Sequence, residues 1–229
     1  MVVMERKGAY TMRFFSVDSP LYRFLCRLWD IIQINFFWLI CSLPIVTMGA
    51  STAAAFKVCL HMADEEEGYI YKEFFRGFKE NWKQGTVLEI ITLVCAYAVY
   101  LDTQFFNGLE GNPVGFLILA IASGFLFFFC LIYTFPLIAR YRNTLLGTIK
   151  NSLTISRKYF GKTLVMLAII ALEIILWIFN KTTLFIGILI GPACIIYTIA
   201  GMSLGIFHEI EKQELTDLLI LYQFISLFP

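Results

Sequence analysis

Residues 36–63 read FFWLICSLPIVTMGASTAAAFKVCLHMA, and their interpretation decides the fold of the whole chain. The apolar run around them, from about residue 25 to 63, is far longer than the roughly 20 residues that one membrane-spanning helix needs. Pro44, Thr47 and Gly49 lie at its centre, where a turn is favoured. The run therefore predicts two helices, 25–43 and 44–63.

The rest of the chain adds four apolar segments, at 85–106, 113–139, 163–180 and 182–207. Charged residues make up 15% of the sequence and hydrophobic residues 59%, and the mean hydropathy is +0.75. Soluble domains contain about 25% charged residues. The sequence therefore predicts an all-α polytopic membrane helix bundle with six transmembrane helices in three hairpins, as a single integral membrane domain over residues 1–229.

The placement of basic residues predicts the orientation. If both termini are cytoplasmic, sixteen of the eighteen Lys and Arg residues fall in cytoplasmic segments. A five-helix arrangement, in which 44–63 does not span, would put the basic clusters of 72–83 and 140–162 outside. The positive-inside rule therefore favours six helices in the cell membrane with cytoplasmic termini. Residues 1–20 lack the apolar region of a signal peptide, so we expect the first span to direct insertion.

Segment 69–84, YIYKEFFRGFKENWKQ, is predicted to form a cytoplasmic amphipathic helix. Aromatic residues repeat every four positions and basic residues follow another face; they are Phe74, Phe78 and Trp82, and Lys72, Arg76, Lys79 and Lys83. Such a helix places aromatic rings among lipid headgroups and cations near anionic lipid, or contacts a partner protein. Segments 144–160 and 19–29 have similar character, with Ser19 and Pro20 as a helix-start signal.

The last residues, 208–229, begin charged, become apolar and are predicted to form a cytoplasmic tail helix too short to span the membrane. Its apolar residues have heptad-like spacing, at Leu215, Leu218, Tyr222 and Ile225. Such a helix lies on the membrane or binds a partner.

Ionisable residues within the spans are candidates for an intramembrane polar site. Glu173 lies near the middle of the fifth span, and Lys57 and Glu89 lie nearer helix ends. A charged group at the centre of a membrane helix costs about 2.5–3.5 kcal/mol. The alternatives for Glu173 are an ion pair with Lys57, a protonated carboxyl that only makes a hydrogen bond, and a proton or solute site.

Motifs in the sixth span suggest packing more than catalysis. Residues 187–191 and 201–205 both have the GxxxG pattern that allows close helix contact, and Pro192 predicts a kink. The second pattern also matches GxSxG at Ser203, but a hydrolase elbow needs a strand before its helix. An intramembrane serine hydrolase would need a histidine that faces Ser203.

The sequence predicts no catalytic, cofactor-binding or metal-binding residues, and we expect a protein that is not an enzyme. The six cysteines lack the spacing of a metal or redox motif, and His61 and His208 are the only histidines. We expect the lipid bilayer as a partner and no nucleic acid.

Three segments resemble the YesL-like family of small bacterial membrane proteins: FFWLICSLPIVTMGASTAA (36–54), FFRGFKENWKQGT (74–86) and FPLIARYRNTLLGTIKNSLTISRKYFGKT (135–163). The resemblance covers roughly residues 10–210. It implies genes beside oligosaccharide ABC importers, carbohydrate-responsive sensor kinases and glycoside-degrading enzymes. It brings no catalytic residues with it.

The leading hypothesis is a membrane accessory subunit, in a hetero-complex with a carbohydrate ABC importer permease or with the sensor kinase that regulates one. An autonomous small-solute carrier that uses Glu173 and Lys57 is the alternative, and an intramembrane hydrolase is a remote one.

The predicted topology can be tested by cysteine labelling from outside intact cells, in a background without native cysteines. Single cysteines near Gly108 and Lys181 should be labelled, because both lie in predicted outer turns. Cysteines near Lys72 and Lys150 should be labelled only after permeabilisation. Labelling at Lys150 in intact cells would contradict the orientation.

Overall fold

The computed structural model of the chain describes residues 19–66, 68–108 and 114–226; the side chains of 105–108, 116, 120 and 217–226 lie outside that description. Every regular element among these residues is a helix. The elements are α1 (Pro20–Cys41), a 3₁₀ turn (Ile45–Thr47), α2 (Met48–Ala63), α3 (Ile70–Gly108), α4 (Val114–Leu131), α5 (Thr134–Arg140), α6 (Leu145–Lys158), α7 (Phe160–Ile178) and α8 (Lys181–Ser226).

Six segments of the described chain are long and apolar enough to cross a membrane. They are Pro20–Cys41, Ile45–Ala63, Ile70–Gln104, Leu117–Arg140, Phe160–Ile178 and Lys181–Thr216. The predicted six-span, all-helical fold is therefore confirmed. The predicted turn between the first two spans is present, and the Thr47 hydroxyl donates to the carbonyl oxygens of Cys41 and Pro44 at 2.6 and 2.8 Å.

Helix α2 lies at the centre of the bundle. Of its span, 67% is buried, against 11–24% for the other five spans. The reason is its small side chains, which let neighbouring backbones approach closely. At the contact with α3, a Cβ atom added to Gly85 would lie 2.7 Å from the backbone nitrogen of Ala50, and one added to Gly49 would overlap the Gly85 carbonyl oxygen.

The amphipathic segment 69–84 differs from the prediction of a separate surface helix. It forms the first turns of α3, which continues without a break into the third span. Phe74 is fully buried, and its ring lies 5.7 Å from that of Phe37 in α1. Phe74 therefore packs inside the protein, where apolar surface is available, whereas Trp82 at the far end of the repeat remains exposed.

Segment 113–139 was predicted as one span, and Leu117–Arg140 is one candidate span, but its helix is interrupted between α4 and α5. Pro136 cannot donate the hydrogen bond that would continue the helix through this point. The free carbonyl groups at the end of α4 have other donors. Ser156 donates to the Phe129 oxygen at 2.7 Å, and Ser152 to the Cys130 oxygen at 2.6 Å. The buried face of α6 is therefore its hydroxyl face, with Thr148, Ser152 and Ser156.

Asn35 of α1 forms hydrogen bonds with backbone groups of α8 that Pro192 leaves without their usual helical partners. A proline has no N–H for the carbonyl four residues earlier, here that of Ile188. The Asn35 amide donates to the oxygens of Ile188 and Leu189 at 3.3 and 2.6 Å, and its own oxygen accepts from the Ala193 N–H at 3.2 Å. Asn35 is fully buried. In the absence of water these backbone groups need a protein partner, and one side chain supplies it.

This arrangement predicts a coupling between two distant positions. Asn35→Leu should lower the free energy of unfolding by about 1–3 kcal/mol, because it leaves buried carbonyl groups without donors. In a Pro192→Ala background the loss should be smaller, since residue 192 then donates to Ile188. Thermal unfolding in detergent of the unchanged protein, the two single variants and the double variant measures the coupling free energy. We expect it to be ~0.5 kcal/mol or more.

The matched control is Gln33→Leu, a polar-to-apolar change in the same helix with no hydrogen bond to α8 in the described chain. It should show no coupling to Pro192→Ala. Equal losses for Asn35→Leu in both backgrounds would refute the role given to Asn35.

Candidate functional site

The three residues predicted as an intramembrane polar site lie in separate places. The Thr198 hydroxyl of α8 donates to Glu173 at 2.6 Å, so Glu173 has a polar partner. Lys57 forms its ion pair with Glu80 instead. Glu89 is buried on α3 beside Gly49. No ion pair or hydrogen bond joins any two of Glu173, Lys57 and Glu89 in the part of the chain that is described, which corrects the proposed Glu173–Lys57 pair.

The surroundings of Glu173 belong to the contact between α7 and α8. Trp177, one turn further on, packs its ring on Gly187 and Gly191, so the first GxxxG pattern is used inside the chain. The other oxygen of Glu173 and the Trp177 Nε1 are buried, and neither has a hydrogen-bond partner among the described residues. By contrast, a Cβ atom on Gly201 or Gly205 would meet nothing within 4 Å.

Ser203 does not face a histidine. Its side chain is buried, and its hydroxyl has no hydrogen-bond partner in the described chain. His208 Nε2 lies 3.4 Å from an Asp64 oxygen, and His61 Nδ1 lies 2.9 Å from a Glu73 oxygen. The geometry thus offers no support for a serine hydrolase at this position.

Most charged contacts lie at one end of the bundle, called here the charged end, where α2 and α5 end and α3, α6 and α7 begin. Arg140 is central to it: its guanidinium donates to both oxygens of Glu211 in α8, at 3.1 and 3.3 Å, and to Asp64 at 3.4 Å. The Tyr141 hydroxyl also donates to Glu211. Burial and that hydrogen bond raise the pKa of Tyr141 to about 12, so the phenol remains a donor at neutral pH.

Helix α8 is joined to its neighbours along the charged end by further polar contacts. Lys162 pairs with Glu209, and Lys158 donates to Gln213 at 2.8 Å. With the Asp64 contact to His208, these fix α8 as far as residue 213. They also show that the end of α2, the start of α7 and the last part of α8 lie on the same side of the bundle.

A cavity of about 1350 Å³, called here the polar basin, opens at the charged end between α2, α3 and the segment before α6. Its basic lining residues outnumber its acidic ones; they are Lys57, Arg76, Lys79, Lys83, Arg140 and Arg142, against Asp64, Glu66 and Glu80. Lys57 and Arg76 both pair with Glu80, the latter at 3.0 Å. The lining also includes the exposed ring of Trp82, which contacts Phe78 with 5.1 Å between ring centroids.

The residues predicted to contact a partner or the membrane surface are therefore divided. Arg76, Lys79, Trp82 and Lys83 line the polar basin, whereas the Lys72 ammonium lies over the Tyr69 ring, 4.7 Å from its centroid. Leu215 on the extension of α8 is 59% exposed. The side chains of Leu218, Tyr222 and Ile225 lie outside the described part of the chain.

Two groups that are important to this architecture were not predicted from the sequence. Asn35 is one of several polar residues in the first span, and what distinguishes it is the distant Pro192, whose missing donor it replaces. Arg140 and Glu211 are far apart in sequence, and no local pattern pairs them. Within the described residues, no group of three or more His, Cys, Asp or Glu side chains is placed to hold a metal ion.

These features define a polytopic α-helical membrane protein whose polar chemistry is concentrated at one end. Residues 31–103 match the family described as "Protein of unknown function, DUF624". The chain is also 25% identical over 130 residues to the "Uncharacterized protein YesL" of Bacillus subtilis, an alignment that covers 55% of this chain and 61% of YesL. The chain thus spans about three fifths of that relative.

The predicted resemblance is confirmed: residues 31–103 match the DUF624 family, and the chain is a distant homologue of YesL. The matched segment covers the second half of α1, the whole of α2 and most of α3, which include the small-residue contact and the Asn35 side chain. No solved structure matches this chain.

The geometry around Glu173 predicts which of its features matters for stability. Glu173→Gln keeps an acceptor oxygen for Thr198. The free energy of unfolding of this variant should therefore stay within ~0.5 kcal/mol of that of the unchanged protein. Thr198→Val removes the donor and should cost ~0.5–1.5 kcal/mol. Thermal unfolding in detergent compares the two. A Gln variant that is less stable than the Val variant would show that the carboxylate charge itself is needed.

Proposed function

We propose that this protein is a non-enzymatic accessory subunit in the cell membrane, which binds a carbohydrate ABC importer permease or its sensor kinase through the extension of α8. The length of that helix carries the proposal. Its 46 residues correspond to about 69 Å, more than twice the hydrocarbon thickness of a bilayer, which is about 30 Å.

The extension of α8 is the part of the helix after Gln213, which is the last residue with a side-chain contact to the charged end among the described residues. His208, Glu209, Glu211 and Gln213 all contact the charged end of the bundle. Two residues later the exposed Leu215 begins the apolar stripe predicted from the sequence, Leu215, Leu218, Tyr222 and Ile225. An apolar stripe on a helix that projects beyond its own bundle suits the face of another helix.

The orientation fits this role. With the charged end in the cytosol, as the basic residues predict, the extension and the polar basin lie where an importer binds its ATPase or a kinase begins its signalling region. The class of partner rests on the family resemblance and not on a contact in this chain.

The carrier alternative depends on Glu173. Its buried oxygen without a partner supports a polar role, but Lys57, the cation proposed to act with it, is paired with Glu80. The accessory role therefore has the better structural support.

Pull-down in mild detergent from the native membrane tests the proposal. An importer permease or sensor kinase, identified by mass spectrometry, should copurify with the chain. The double variant Leu218→Asp and Tyr222→Asp should reduce its recovery ~10-fold or more, because two buried charges would replace apolar contacts.

The control is the double variant Thr216→Asp and Gln223→Asp, which adds the same charge to the opposite face of the helix. It should keep the partner, and both variants should insert in the membrane as the unchanged chain does. Purification of the chain alone, with solute transport by vesicles that contain no other protein, would contradict the accessory role and support the carrier.

A further inference from the structure

Three cations of the polar basin lack an ionic partner within the described chain. They are Lys79, Lys83 and Arg142, and all three are exposed. The other basic lining residues are in ion pairs: Lys57 and Arg76 share Glu80, and Arg140 pairs with Asp64 and Glu211. The positive excess of the basin is therefore concentrated at Lys79, Lys83 and Arg142.

The fold brings these three cations from two segments of the chain into the lining of one cavity. Lys79 and Lys83 are one helical turn apart on α3 and so share a face. The Gln84 side chain donates to the Asn143 carbonyl oxygen at 2.8 Å, which joins α3 to the segment before α6. Lys83 directly precedes Gln84, and Arg142 directly precedes Asn143. Like charges brought together without a counterion repel, and the concave wall concentrates their field.

The amino end of α6 adds to this field. Thr144 lines the basin and caps α6, and its hydroxyl accepts the Gly147 N–H at 3.3 Å. The positive end of the helix dipole therefore lies at the same wall as Lys83 and Arg142. Anions are favoured at such a position when side-chain cations are also present.

We propose that the polar basin binds the phosphate group of an organic phosphate, held by Lys79, Lys83 and Arg142. A phosphate carries up to two charges and several acceptor oxygens, which suits two ammonium groups and one guanidinium better than a carboxylate does. The cavity of about 1350 Å³ is much larger than a phosphate ion, so it has room for the rest of the ligand beside the exposed Trp82 ring.

Two sources supply this chemistry: the headgroup of an anionic phospholipid and a soluble phosphate ester. The basin lies at the charged end, next to the predicted membrane surface, and both can reach it. The proposal does not depend on the accessory role, because it uses no residue of the α8 extension.

Thermal unfolding of the purified full chain in a neutral detergent tests the site. The probes are inorganic phosphate at constant ionic strength, and vesicles of phosphatidylglycerol compared with phosphatidylcholine after reconstitution. Stabilisation by inorganic phosphate indicates a soluble ester. Stabilisation by phosphatidylglycerol alone indicates a lipid headgroup.

The triple variant Lys79→Gln, Lys83→Gln and Arg142→Gln should bind the effective probe ~10-fold or more weakly, since three charge-assisted contacts are removed. The control Lys150→Gln, Arg157→Gln and Lys212→Gln removes the same charge from exposed positions that do not line the basin, and should bind within ~3-fold of the unchanged chain. Arg142→Gln alone, in the segment between α5 and α6, provides a variant with little risk to folding.

Stabilisation by neither probe would overturn the proposal. An equal loss in the triple variant and its control would also overturn it, because binding would then follow total charge and not the basin. The variant Leu218→Asp and Tyr222→Asp should bind the probe normally, so failure of the accessory role and failure of the phosphate site give different results.

Discussion

The close contact of α2 with its neighbours is the constraint on which the bundle depends. Lipid provides no hydrophobic force between helices, so association relies on van der Waals contact and on polar groups that cross between helices. The row of small residues at Gly49–Ala55 provides the van der Waals contact. Because these side chains are small, α3, α8, α5 and α1 can all pack against α2. Any side chain beyond Cβ at Gly49 or Gly85 would separate α2 from α3 and alter the position of the charged end.

The hydrophobic pattern of the sequence was sufficient for the number and order of the spans, because apolar length and basic residues are local properties. It was not sufficient for segment 69–84, because its amphipathic pattern suits a lipid surface and a protein surface equally. In the structure the segment packs against protein, since Phe74 contacts α1. Nor could it locate the break after α4, where Ser152 and Ser156 from a later helix stabilise free carbonyl groups. The partners of Lys57 and Glu173 likewise depend on which helices become neighbours. Glu80 and Thr198 lie 23 and 25 residues away, respectively.

Polar groups serve two different purposes in this protein. Asn35 and Thr198 in the spans, and the serines of α6 outside them, satisfy backbone or carboxyl groups of the spans that hydrocarbon cannot solvate. At the charged end, paired residues such as Arg140 and Glu211 join the ends of several helices, and the unpaired cations face a cavity. The first set fixes the architecture, and the second provides chemistry that a ligand or a partner can recognise.

The geometry of α8 has a mechanical consequence. Asn35 holds the helix at Pro192, inside a candidate span, and the helix continues without a break for 24 residues to Thr216, a length of about 36 Å. A change of about 10° in helix direction at Pro192 would therefore move the axis at Thr216 by ~6 Å. The contacts of Arg140, Lys158 and Lys162 with the same helix oppose such a swing. The long helix thus has the proportions of a lever arm, with its pivot in the hydrocarbon and its restraints at the charged end.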